Sequence, residues 1–144
     1  MKNNNIVLIS LLALVFMFNG CGSSDNTSGG NNSQNNLVTL FLVDEEGFSY
    51  GNIPYFCDSM SAWETTPANG EFTFYPPDNC EFDFSRLEGN YDNDTRFDDI
   101  VRIVDYADEG KNGIPYQCVS FGASTTYGDG RFDYDIDDAC IFYL

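Results

Sequence analysis

From residue 37 onward, apolar and polar side chains alternate with a period of two over several short runs. Residues 71–74 (EFTF) and 80–84 (CEFDF) place aromatic and sulfur-bearing side chains on one face and polar side chains on the other. Such alternation predicts β-strands with one buried face. Residues 38–43 (VTLFLV) are nearly all apolar, which predicts a central strand buried on both faces. Helical periodicity is weak, and we expect an all-β fold.

The apolar pattern is written twice. Residues 53–57 (IPYFC) return as residues 114–118 (IPYQC), at an offset of 61 up to the first cysteine of each copy and 60 after it. Residues matched by these offsets are called counterparts below. Other repeated positions are Val43-Asp44 and Val104-Asp105, Thr65-Thr66 and Thr125-Thr126, Gly70 and Gly130, Phe72 and Phe132, Asp78 and Asp138, and Phe82 and Phe142. Repetition at a fixed offset predicts one duplicated folding unit.

The duplication sets the domain organisation. Repeat 1 spans residues 37–84, an acidic linker spans 85–100, and repeat 2 spans 101–144. Units this small bury little surface and usually need a cross-link. We therefore expect two small β-sandwich-like repeats, each closed by a disulfide and packed together.

Four cysteines lie in the repeats, two in each. Even numbers of cysteines in an exported chain favour disulfides, and self-contained copies select the pairs Cys57–Cys80 and Cys118–Cys140. A zinc site built from all four thiolates is the competing interpretation. It is disfavoured because the sequence contains no C-x2-C pair.

The first 20 residues have the features of a signal peptide. Lys2 is followed by an uncharged, mostly apolar run over residues 6–18, which is too short to span a bilayer as a helix. Gly20-Cys21 then resembles the lipobox of bacterial lipoproteins, which implies that Cys21 is lipidated and becomes the mature N-terminus. An ordinary cleaved signal that leaves Cys21 as a free thiol is the alternative.

Residues 22–36 form the expected tether behind the lipid. They comprise only Gly, Ser, Asn, Thr, Gln and one Asp, a composition typical of a flexible linker. The lipid and the tether predict an exported protein held close to a membrane. Gly22 after the lipidated cysteine, rather than an aspartate, favours the outer membrane of a Gram-negative cell.

The chain is strongly acidic. Its 23 acidic and 6 basic residues give a formal net charge of −17, which argues against nucleic acid as a partner because phosphates would be repelled. Acids cluster after the first strand of each repeat, at Asp44-Glu45-Glu46 and at Asp105, and within the linker. Asp92, Asp94, Asp98 and Asp99 are candidate calcium ligands, although their spacing is not that of an EF-hand. Solvated surface carboxylates are the simpler interpretation.

Catalysis has little support in the sequence. No histidine is present, so Ser-His and Cys-His nucleophilic sites are excluded, and we do not expect an enzyme. Trp63, whose counterpart is Ala123, is a candidate contact for a sugar ring or a cover for the loop beside the disulfide. Ile141 and Tyr143 replace the acids Glu81 and Asp83. Paired apolar side chains on a surface predict an interface, either with repeat 1 and the linker or with a partner.

Together, the Val-Asp pair, the Ile-Pro-Tyr strand and the Thr-Thr-x-x-x-Gly-x-Phe run resemble small β-sandwich modules of bacterial surface proteins. These are the carboxypeptidase-regulatory-like and Cna-B-like modules, with a transthyretin-like topology. The resemblance covers residues 40–84 and 101–144 and implies a structural or adhesive surface module. The alternative is a calcium-stabilised lipoprotein that binds carbohydrate or protein.

Overall fold

The structure is a computed structural model that describes residues 36–90, 99–120 and 122–144. These residues form nine β-strands and no helix, which confirms the all-β prediction. The strands are β1 (Val38–Val43), β2 (Pro54–Cys57), β3 (Glu64–Thr65), β4 (Glu71–Phe74), β5 (Asn79–Asp83), β6 (Arg102–Val104), β7 (Pro115–Cys118), β8 (Gly122–Thr125) and β9 (Ala139–Tyr143).

The strands form two antiparallel sheets around one core. A three-stranded sheet has the order β4-β1-β6, and a six-stranded sheet has the order β3-β2-β5-β9-β7-β8. Aromatic rings join the two layers: the Phe72 ring of β4 lies 6.1 Å from Tyr55 of β2 and 4.9 Å from Phe82 of β5, centroid to centroid. A single core cluster contains buried side chains of both repeats. The two facing sheets therefore confirm the expected β-sandwich-like fold.

Both sheets continue from one repeat into the other at strand pairs in which a residue faces its own counterpart. In the β5–β9 pair, Glu81 faces Ile141, which is its own counterpart. In the β1–β6 pair, Leu42 faces its counterpart Ile103. Antiparallel pairing of an element with its own copy is the relation found across a two-fold interface. The two repeats are thus related by an approximate two-fold axis, called the dyad below, that passes through both strand pairs.

This arrangement refines the prediction of packed repeats. Each disulfide lies within one repeat, as expected. Each sheet, in contrast, contains strands of both repeats. Neither repeat is a complete sandwich by itself.

Burial follows the alternation read from the sequence. In β4 and β5 the aromatic and cysteine side chains are buried and the intervening positions are half-buried or exposed. The prediction for β1 was half wrong. It is the central strand of its sheet, and Leu40 and Leu42 face the core, but Thr39 and Phe41 on the other face are only half-buried. No described element forms a third layer over that face, which leaves room for a surface groove.

Both predicted disulfides are present. Cys57 and Cys80 face each other across β2 and β5, and Cys118 and Cys140 face each other across β7 and β9. The Cα atoms of each pair are 4.0 Å apart. Because all four sulfur atoms are in disulfides, the competing zinc interpretation is excluded.

The repeated glycines have a steric cause. Gly70 and Gly130 have φ angles of 72° and 85°, in the left-handed region that favours glycine. A Cβ on Gly70 would lie 2.3 Å from the carbonyl oxygen of Leu42, and one on Gly130 would lie 2.2 Å from that of Ile103. These glycines therefore let a turn of each repeat approach the strand residue that lies on the dyad.

Candidate binding site

A groove crosses the outer face of the three-stranded sheet at the dyad. Its floor and walls include Phe41 and Val43 of β1, Val104 of β6 and the exposed Tyr106, and it encloses about 440 Å³. The rings of Phe41 and Tyr106 meet edge to face, with centroids 4.9 Å apart. The groove exists because β1 and β6 pair here with no described layer above them. It is called the dyad groove below.

The repeated Val-Asp pairs build the loops that border the dyad groove. Oδ1 of Asp44 accepts hydrogen bonds from the amides of Glu46 and Phe48 at 3.0 and 2.7 Å. Oδ1 of Asp105 accepts the equivalent bonds from the amides of Ala107 and Glu109 at 2.9 and 3.1 Å. Such Asx turns are a common use of aspartate in loops. The two aspartates, which the sequence offered only as surface acids, thus shape the groove.

The rim of the dyad groove is acidic on both sides, but only the repeat 2 side carries ion pairs among the described residues. Lys111 pairs with Asp105, and Arg102 lies 3.7 Å from Asp108. The hydrogen bond from Lys111, helped by the amide of Ala107, lowers the pKa of the Asp105 carboxyl. On the repeat 1 side, Glu46 lines the groove without a described ion pair.

Tyr50 follows Ser49, which lines the dyad groove, and packs against the core cluster. Its hydroxyl donates to the carbonyl oxygen of Ile100 at 3.2 Å. Burial, followed by the charges of Asp99 and Asp44, raises the pKa of this phenol.

The dyad groove thus has an apolar, aromatic floor and an acidic rim. Such a surface suits a ligand that has an apolar body and positive charge.

Ile141 and Tyr143 lie on the outer face of the six-stranded sheet. The predicted cover by repeat 1 is not found, since Ile141 and Tyr143 are 37% and 44% exposed, and linker residues 91–98 lie outside the described residues. Strand β9 joins repeat 1 through backbone pairing with β5, which leaves its outward side chains free. With Phe56 and Glu81 they line a shallow groove of about 360 Å³.

Trp63 belongs to the same surface. Its exposed ring lies 5.9 Å from the ring of Phe56, which in turn lines the groove beside Ile141 and Tyr143. The structure thus places the sequence-predicted contact Trp63 near the sequence-predicted interface residues. Phe56 was missed, although the alternation of residues 53–57 points it outward between the inward Tyr55 and Cys57. This surface is called the aromatic face below.

Most of the candidate calcium site falls outside the described residues, as do Cys21, the signal peptide and residues 22–35 of the tether. This applies to Asp92, Asp94 and Asp98. Asp99 is described: its Oδ2 accepts a hydrogen bond from the amide of Glu88 at 2.8 Å. Its carboxylate therefore already has a role in holding the linker.

Two buried aspartates resemble metal ligands but have a structural role. Asp78 lies beside Cys57 and Cys80, and Asp138 lies beside Cys118 and Cys140, close enough for a metal if the thiols were free. The sulfurs are in disulfides. The buried carboxylates instead accept hydrogen bonds from serine hydroxyls, Asp78 from Ser59 at 2.5 Å and Asp138 from Ser120 at 2.7 Å. Every buried side-chain polar atom in the described residues has a hydrogen-bond partner.

Comparison with known proteins gives no match. No protein-family model, curated protein or solved structure matches this chain. In the described part of the chain, no helix is long and apolar enough to cross a bilayer. The candidate site therefore rests on its own geometry.

Proposed function

We propose that this protein is a non-catalytic, exported lipoprotein, anchored through Cys21 to the outer membrane, that acts as an adhesive surface module. The observation that carries the proposal is the dyad groove, with its exposed Tyr106 ring and acidic rim. The lipobox-like Gly20-Cys21 and the paired cysteines support export. The ligand that fits the groove is a protein segment with apolar and basic side chains.

A binding role also agrees with the chemistry of the groove. The chain has no histidine, and its rim acids Asp44 and Asp105 hold their own loops through backbone hydrogen bonds. Carboxylates used in this way are poor general acids or bases, because protonation would release the loop. Contact through exposed rings and charge needs no such group.

Lipid anchoring is tested by labelling. Cells that express the full chain are fed a radioactive or clickable palmitate analogue, and Cys21→Ser is the matched control. We expect label on the wild-type chain and none on the variant. Equal labelling, or no label on either, contradicts the anchor.

The dyad groove is tested with a synthetic peptide of alternating leucine and lysine. We expect binding that weakens as salt is raised and that falls about tenfold in Tyr106→Ala. Tyr127→Ala removes another exposed tyrosine, outside the groove, and should bind as the wild type does. Equal loss in both variants, or no loss in Tyr106→Ala, contradicts the assignment.

The aromatic face favours a second candidate, a calcium-stabilised carbohydrate-binding lipoprotein. Exposed indole and phenol rings are the groups that stack on sugars. Trp63 lies beside Phe56, and Tyr143 lines the same groove as Phe56. Binding on a glycan array that disappears in Trp63→Ala would favour it over a protein ligand. Its calcium component predicts a melting temperature that falls with EDTA and recovers with calcium, and an unchanged melt removes that component.

A further inference from the structure

A second apolar groove lies on the repeat 2 side of the core, away from the dyad groove. It encloses about 470 Å³ and its lining is mostly apolar. Residues of both repeats line it, including Val38, Phe74, Pro76, Ile114 and Leu144. It is called the repeat 2 groove below.

The two-fold relation identifies what occupies the equivalent place in the other half. The counterparts of Val38, Phe74 and Pro76 are Asp99, Tyr134 and Ile136. Linker residues 88–90 lie against all three of these counterparts. In one half they therefore fill the place that, in the other half, no described residue fills and that forms the repeat 2 groove.

Each linker contact is direct. Glu88 donates its amide to Oδ2 of Asp99 at 2.8 Å, and Asp99 donates its own amide to the carbonyl oxygen of Gly89 at 3.0 Å. The Gly89 backbone packs so closely that a Cβ there would lie 2.8 Å from the amide nitrogen of Ile136. Asn90 then donates its backbone amide to the carbonyl oxygen of Tyr134 at 3.0 Å, and its side-chain Oδ1 accepts a hydrogen bond from the Tyr134 amide at 3.1 Å.

Core side chains are more deeply buried in the half that residues 88–90 cover than in the half with the repeat 2 groove. Ile53 and Phe84, in the covered half, are 2% and 0% exposed. Their counterparts Ile114 and Leu144, which line the repeat 2 groove, are only half-buried. Leu87 of the linker packs against the core on the covered side. The repeat 2 groove thus has no aliphatic side chain equivalent to Leu87 among the described residues.

We propose that the repeat 2 groove binds an extended polypeptide segment of a partner protein, which takes the place that residues 88–90 take in the other half. The segment places an aliphatic side chain against Ile114 and Leu144, just as the linker residue Leu87 packs against the core cluster. Residues 22–36 of this chain are a poor occupant because they contain no apolar side chain. Residues 88–90 of a second copy are also a poor occupant, because they are bound within their own fold.

The test adds the missing segment to the full chain. Appending Ser-Arg-Leu-Glu-Gly-Asn, the sequence of residues 85–90, directly after Leu144 supplies it at high effective concentration. We expect the melting temperature to rise by about 4 °C or more and the Ile114 amide to exchange more slowly with solvent. The matched control carries Asp in place of the appended leucine and should gain nothing.

Two substitutions locate the effect. Val38→Lys, in the groove, should abolish the gain, whereas Thr39→Lys, on the other face of β1, should leave it. Tyr106→Ala should also leave the gain, which separates this groove from the proposed function of the dyad groove. No gain with the leucine extension, or an equal gain with the aspartate extension, overturns the proposal. Wild-type self-association in sedimentation that Val38→Lys removes also overturns it, in favour of a second copy.

Discussion

The two repeats share their interior contacts and differ at their surfaces. The Tyr55–Phe82 and Tyr116–Phe142 ring centroids are both 5.5 Å apart, and the equivalent Phe72–Phe82 and Phe132–Phe142 distances are 4.9 and 4.8 Å. On the surface, Trp63 has Ala123 as its counterpart, and Glu81 has Ile141. Duplicated core side chains therefore preserve a packing geometry, while the outward positions are free to diverge toward binding.

The difference at Glu81 and Ile141 also has a structural reason. On the dyad a residue faces its own counterpart, so two unchanged glutamates would face each other across β5 and β9. Like charges directly opposite on neighbouring strands are destabilising. Divergence at this position removes a repulsion that an exact duplication would create.

The disulfides provide the largest expected effect and test whether the repeats contribute equally. They close loops of similar length, with sequence separations of 23 and 22 residues. Replacing Cys57 and Cys80 with alanine, or Cys118 and Cys140, should each cost about 3 kcal/mol in urea unfolding. Equal costs support equivalent repeats. If one pair costs nothing, that repeat does not need its cross-link and the comparison fails.

The repeated glycines come next. Gly70→Ala and Gly130→Ala should each lower the free energy of unfolding by about 2 kcal/mol or more, because the added Cβ meets a strand carbonyl and the backbone has positive φ. Gly113→Ala is the matched control: its φ is 76°, but a Cβ there meets no atom within 4 Å. If all three variants lose the same free energy of unfolding, the steric explanation is ruled out.

Tyr50 provides a smaller effect, confined to alkaline pH. Its counterpart is Lys111, so this phenol is present in repeat 1 and not in repeat 2. Because burial raises the pKa of the Tyr50 phenol, the folded protein keeps this proton to higher pH than the unfolded chain does. Stability present below about pH 10 is therefore lost as the pH rises. Tyr50→Phe should flatten this dependence by at most about one proton in urea melts above pH 10. An unchanged slope would contradict the role assigned to burial.

The smallest expected effect lies on the dyad itself. Ile141→Glu restores the acid of repeat 1 opposite Glu81 and should cost about 0.5 kcal/mol at low salt, and less in high salt. Ile141→Gln is the control for lost apolar surface, and Tyr143→Glu, which faces Asn79, is the control for added charge. A salt-independent cost equal to that of Ile141→Gln would mean that no charge repulsion acts at the dyad.

Much of the fold could be predicted from the sequence. The period-two runs identify the buried faces of β4 and β5, and the duplicated Cys57 and Cys118 give the disulfide connectivity. The neighbours of each strand could not be predicted in the same way, because alternation specifies which face is buried and not which strand lies alongside. Self-pairing at Glu81 and Leu42 is a property of the assembled sheets.

The candidate sites were less accessible to sequence reasoning. Ile141 and Tyr143 were expected to be covered because exposed apolar pairs are uncommon, but β9 joins repeat 1 by backbone hydrogen bonds and not by these side chains. The dyad groove and the repeat 2 groove are shaped by residues far apart in the chain, such as Phe41 with Tyr106 and Val38 with Ile114. No local pattern carries that information.

The central claim is that two repeats share one core across a dyad, and calorimetry tests it most directly. The chain from residue 37 to 144, with both disulfides intact, is unfolded by heat in a scanning calorimeter. A shared core predicts one transition whose calorimetric enthalpy equals its van't Hoff enthalpy. Two separable transitions, one shifted by Gly70→Ala and the other by Gly130→Ala, would contradict it.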